Sequence, residues 1–304
     1  MFKNIVVLIK DEHISEDVLK LAASTADHSE SYLTMLRLIN SPSSLSMVDP
    51  VEWQFTLKEI TLKLEHYAAL LQKDGLEIKY HLLQNPDPDS ILQFLGQNYF
   101  DLIVTTRENN IIDGVSDTAI RDTGIPVMVV PEGTISPIRR IMVPLDGSQR
   151  AECALTIAEK MAQVEDRELL IVHVVPQPEL LQQSNQNLEL VNLANQMTFH
   201  GNKEGSNYLK QLSSRIRCKT ETYLATHRNV TAALHEICQE KAVDLVIMSA
   251  HGYAGDPRWS YGSTTGNFLI YGNLPILVVQ DIQSTRIPAV HPASQPRTSY
   301  ASAS

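Results

Sequence analysis

The residues best equipped for chemistry lie between Ser249 and Ser263, in the run Ser-Ala-His-Gly-Tyr-Ala-Gly-Asp-Pro-Arg-Trp-Ser-Tyr-Gly-Ser. Gly252 and Gly262 carry no Cβ, so the backbone there can bend and come close to an anion. Gly262-Ser263 lies at the start of an expected helix, Thr264–Tyr271, and offers unpaired N–H groups and a hydroxyl to ligand oxygens. Asp244-Leu-Val-Ile-Met248, just before, reads as a buried strand. A loop that leaves such a strand and enters a helix N-terminus is where α/β proteins hold phosphate. Glycines also punctuate ordinary strand-loop-helix turns, so spacing alone leaves both readings open.

Other candidates are weaker. Asp146-Gly147-Ser148 reads as a turn with Ser148 as the N-cap of the following helix. His251 is suited to donating to a phosphate and equally to a local hydrogen bond. Arg258 is either a phosphate partner or a solvated loop residue, and Trp259 and Tyr261 read as packing anchors for the loop. Gly-x4-Gly-Lys-Ser/Thr is absent, as are His-Glu-x-x-His and a Gly-x-Gly-x-x-Gly after the first strand. Ser148 does not lie in a nucleophile elbow, so no catalytic residues are assigned. Cys153, Cys218 and Cys238 are scattered, without a Cys-x-x-Cys pair. They suit a reducing compartment as buried apolar groups, and no metal site is expected.

The elements that must position these residues are written twice. Lys3-Asn-Ile-Val-Val-Leu8 parallels Arg139-Arg-Ile-Met-Val-Pro144, and Tyr32–Ile39 parallels Glu168–Val175, both offset by 136. Asp101–Val104 matches Asp244–Ile247, and Ile125–Val130 matches Leu274–Val279, with the offset growing to 143 and then 149. The last gain falls inside the glycine loop. Continuous Val/Ile/Leu runs fit strands covered on both faces, and their alternation with helical stretches implies parallel sheets with right-handed crossovers. Helices are expected at Ser15–Ala26, Val51–Lys73 and Asp89–Asn98, then at Ser148–Ala162, Leu180–Arg215 and Val230–Glu240. Gly201 and Gly205 predict a break in the fifth of these.

At 304 residues and 43% apolar, the chain suits two ordinary domains. Its formal net charge of −10 argues against nucleic-acid or anionic-membrane partners. No charged-then-apolar leader follows Met1, and Ile5–Ile9 is too short to span a membrane, so a cytoplasmic protein is expected. Pro131-Glu-Gly-Thr-Ile-Ser-Pro137 reads as the linker, which places domains at 1–131 and 138–281. The Ser/Pro/Ala-rich residues 282–304 read as a disordered tail.

Collectively these segments resemble the universal stress protein family, as a tandem of two domains. The resemblance rests on Ile141-Met-Val-Pro-Leu-Asp-Gly-Ser148 with Ala154-Leu155, Ile171-Val-His-Val-Val175, Asp244–Gly252, Gly252-x9-Gly262-Ser263 and Leu274-Pro-Ile-Leu-Val-Val279. It implies two tandem doubly wound α/β domains, each a five-stranded parallel sheet flanked by helices, adenine nucleotide alpha hydrolase-like. Family members that bind ATP use a loop Gly-x2-Gly-x9-Gly-Ser/Thr; here Ser249 replaces the first glycine. The resemblance implies ATP as cofactor, with Mg²⁺ a candidate companion. It implies Asp146 at the ribose, Val174 beside the adenine, and Pro144 and Leu145 as the pocket floor. Ser249, Gly252, Gly262, Ser263 and Thr264 would surround the phosphates. In the first half Lys10 replaces Asp146, Leu8 replaces Pro144 and the loop is short, so that site is expected to be degenerate. The family's last strand pairs with a counterpart, which implies an internal pseudo-dimer of the two halves and leaves a homo-oligomer open. A nucleotide-dependent stress-response module is the leading expectation. A nucleotide-free assembly protein, and a slow ATPase or autophosphorylating enzyme, are the alternatives.

Overall fold

Runs of β-branched and aliphatic residues bounded by turn residues become strands buried on both faces. A computed structural model describes residues 1–10, 15–27, 30–40, 49–72, 75–107, 123–131, 133, 137–164, 166–178, 188–252 and 261–280. The first half holds β1 (Asn4–Ile9), α1 (Glu16–Ser24), β2 (Ser31–Ile39), α2 (Pro50–Leu71), β3 (Leu76–Gln84), α3 (Pro88–Gln97), β4 (Leu102–Arg107) and β5 (Val127–Pro131). The second half holds β6 (Arg140–Pro144), α4 (Gln149–Val164), β7 (Glu168–Pro176), α5 (Leu188–Ser213), β8 (Thr220–His227), α6 (Val230–Glu240), β9 (Leu245–Ser249), α7 (Ser263–Tyr271) and β10 (Ile276–Val279).

The strands form one ten-stranded sheet, ordered β3-β2-β1-β4-β5-β10-β9-β6-β7-β8. Each half is parallel and doubly wound, with the same internal order. The halves join where β10 runs antiparallel to β5, with Leu277 opposite Met128. These strands are almost completely buried, which removes the edge that either would otherwise present. One apolar layer packs α1, α2, α4 and α5 on one face, and a second packs α3, α6 and α7 on the other.

Two features differ from expectation. Helix α5 runs unbroken through Gly201 and Gly205. A Cβ at Gly201 would sit 2.7 Å from Val175 Cγ1, and one at Gly205 would sit 2.8 Å from His173 Cδ2 and Leu224 Cδ1. The glycines thus let the helix press against β7 and β8 instead of ending it. The edge strands β3 and β8 were not located from the apolar runs, because they are only partly covered and hold a single buried residue between them. Most of the linker and residues 282–304 lie outside the described residues. No helix among the described residues is long and apolar enough to cross a membrane.

Candidate functional site

At the point where the second half's strand order reverses, between β6 and β9, their C-terminal ends open into a cavity of ≈ 660 Å³. All nine residues singled out from the sequence line it: Pro144, Leu145, Asp146, Val174, Ser249, Gly252, Gly262, Ser263 and Thr264. Strand β6 delivers the first three, β7 delivers Val174, and β9 with α7 delivers the rest.

The turn after β6 is built around its carboxylate. Gly147 adopts φ 88°, a left-handed conformation that favours glycine. This brings the Ser148 N–H and Oγ to Asp146 Oδ1, at 2.9 and 2.6 Å. Ser148 Oγ in turn accepts from the Ala151 N–H at 3.1 Å and so caps α4 as expected. Across the cleft, a Cβ on Gly252 would lie 2.3 Å from Asp146 Oδ2. The loop glycine and the carboxylate are therefore in direct register, and a side chain at 252 would displace one or the other.

The β9 end is tied down from two sides. Ser249, buried at 6% exposure, donates its hydroxyl to the His251 carbonyl at 2.5 Å. Thr265 Oγ1 donates to the Ser249 carbonyl at 2.9 Å. Ser249 can thus stand in the glycine position with its hydroxyl folded onto its own loop. One expectation is corrected: the Gly262 N–H is not unpaired, because it donates to the Ala250 carbonyl at 2.7 Å. The next residues, Ser263, Thr264 and Thr265, line the cavity. They form the first turn of α7, whose N–H groups have no intrahelical acceptor.

The remaining wall was not read from the sequence. Pro176, Val230, Leu234 and Met248 give it an apolar side, and Tyr261 lies against α7, where a Cβ on Gly266 would meet its ring at 2.9 Å. Nothing local marks Val230 or Leu234, since they reach the cavity only because α6 packs beside β7. His173 also lines the wall. Its Nδ1 donates to the Leu145 carbonyl at 2.8 Å, and Tyr208 meets the ring edge-on, at 5.7 Å between centroids. Tyr208 donates to Glu152 Oε1 at 3.1 Å. Burial, with the nearby Glu152 and Asp146 carboxylates, raises its phenol well above the usual range. Among the described lining residues Asp146 is the one carboxylate, and there is no lysine or arginine. His251 is buried at the strand end, while Arg258 and Trp259 lie outside the described residues.

In the first half, Lys10 and Arg37 occupy the positions of Asp146 and His173, and most of the loop after β4 lies outside the described residues.

Comparison with known proteins agrees with the tandem two-domain fold. The family model described as the universal stress protein family matches residues 1–131 and again 137–280. The universal stress protein MJ0577 of Methanocaldococcus jannaschii is 24% identical over 158 residues, 47% of this chain and 94% of that protein. A universal stress protein from Archaeoglobus fulgidus DSM 4304 superimposes with a TM-score of 0.60 at 15% identity, covering 90% of this chain and 96% of the other. A putative universal stress protein from Pseudomonas aeruginosa UCBPP-PA14 gives 0.60 at 12% identity, with 92% and 93% covered.

Proposed function

The chain belongs to the universal stress protein family, and from that premise we propose that its C-terminal half, residues 138–281, holds ATP as a nucleotide-dependent regulatory module of a stress response. The observation that carries the proposal is the convergence of all nine sequence-marked residues on one cavity at the strand switch point. The wall formed by Leu145, Val174 and their apolar neighbours would take the adenine. Asp146 would accept hydrogen bonds from the ribose hydroxyls, a carboxylate keeping acceptor capacity beyond its bonds to Ser148. Ser249, Gly252, Gly262 and the first turn of α7 would surround the phosphates, where backbone N–H groups and the helix dipole favour negative charge. With one carboxylate and no described cation on the wall, Mg²⁺ is the natural companion for a triphosphate.

Binding, not turnover, is the proposed activity. The N-terminal half, residues 1–131, would act as a degenerate partner that completes the sheet as an internal pseudo-dimer, in a cytoplasmic protein. Millimolar ATP with Mg²⁺ is expected to raise the melting temperature by several degrees, because a ligand at 100 times its dissociation constant adds about 2.7 kcal/mol. Asp146→Ala should lose most of that rise. A melting temperature unmoved by ATP in the unmodified protein would overturn the proposal.

A further inference from the structure

The helix whose first turn faces the cavity is held at its other end by the opposite half of the molecule. Arg107, the last residue of β4, is buried at 8% exposure. Its Nη1 donates to the Leu269 carbonyl at 2.9 Å and its Nη2 to the Gly272 carbonyl at 2.5 Å. Those carbonyls terminate α7, which has no basic residue in its last turn and no side-chain hydrogen bond at its N-cap. The chain turns tightly there, since a Cβ on Gly272 would lie 2.5 Å from the Phe268 carbonyl oxygen. The aligned position in the second half is Ala250, which carries no side-chain donor.

We propose that Arg107 is a positioning residue for the ligand of the C-terminal half, so that the cavity is mechanically complete only with the N-terminal half in place. This rests on the reading that the cavity takes a phosphate-bearing nucleotide. A helix of 9 residues is marginal by itself, and its last carbonyls need partners. A guanidinium bonded to two of them satisfies those groups and opposes the negative pole of the helix. The first turn, Ser263–Thr265, is thereby held where it lines the cavity. Arg107 never meets the ligand; it acts through the helix.

The test uses the full chain with Arg107→Met and Arg107→Lys, and two readouts. Hydrogen exchange of the unliganded protein should quicken in residues 263–271 in the Met variant, with β6 and β7 unchanged. Titration should show ATP affinity falling about tenfold in the Met variant, with adenosine affinity within twofold of the original and the Lys variant in between. Equal loss of ATP and adenosine affinity, or unchanged ATP affinity, would overturn the proposal. If the Met variant does not fold, the Lys variant decides by the same two criteria. If the unmodified protein binds neither ligand, the nucleotide reading falls, and exchange alone decides whether Arg107 holds α7: unchanged exchange at 263–271 ends the proposal.

Discussion

Asp146 and Gly252 are one device split between two loops. A Cβ at 252 would sit 2.3 Å from Asp146 Oδ2, so the glycine is required by its partner and not by its own backbone. Gly252→Ala should therefore weaken ATP binding strongly, by about tenfold or more, as Asp146→Ala does. Combining the two should cost little more than either alone, because both act through the same carboxylate. Calorimetric titration of the three variants checks this, and fully additive losses would contradict it. Gly252 was legible from a local signal, a glycine after a strand, whereas the turn at Asp146 read only as a helix cap until the family resemblance marked its carboxylate. Val230 and Leu234 were not legible, since apolar residues on a wall look like any core residue until the elements are packed. The Gly262 N–H illustrates a further limit. Its acceptor is a carbonyl two residues beyond Met248, and backbone pairing across a loop leaves no trace in side-chain identity.

At the level of elements, the doubly buried strands and most helices were readable from continuous apolar runs and from spacing. The errors share a cause. Glycine breaks a helix by propensity, costing about 1 kcal/mol relative to alanine, yet Gly201 and Gly205 sit inside α5 because β7 and β8 press against them. Propensity predicts that Gly205→Ala stabilises the protein. Packing against His173, whose ring is held by the Leu145 carbonyl, leads to the opposite expectation, a net loss of about 1–2 kcal/mol. Denaturant unfolding distinguishes them, and a gain in stability would contradict the packing account. The edge strands β3 and β8 escaped notice for a related reason: they are only partly covered, so their sequences mix polar and apolar residues and resemble surface.

Across the whole molecule, the repeated segments and their growing offset anticipated two similar halves with one elaborated loop, and the ten-stranded sheet accommodates both. What joins the halves was legible only in part. The two last strands announced themselves as apolar edges seeking a partner, whereas the clamp from Arg107 to Leu269 and Gly272 spans 162 and 165 residues without a motif. The similarity of the scaffolds and the difference of the sites make a sharp quantitative expectation. Asp146 faces a long loop in one half, and Lys10 stands in its place in the other. The stoichiometry of ATP binding by calorimetry tests this most directly: one ATP per chain is expected, abolished or strongly weakened by Asp146→Ala and unaffected by Lys10→Ala. Two ATP molecules per chain, or one whose affinity depends on Lys10 and not on Asp146, would contradict it.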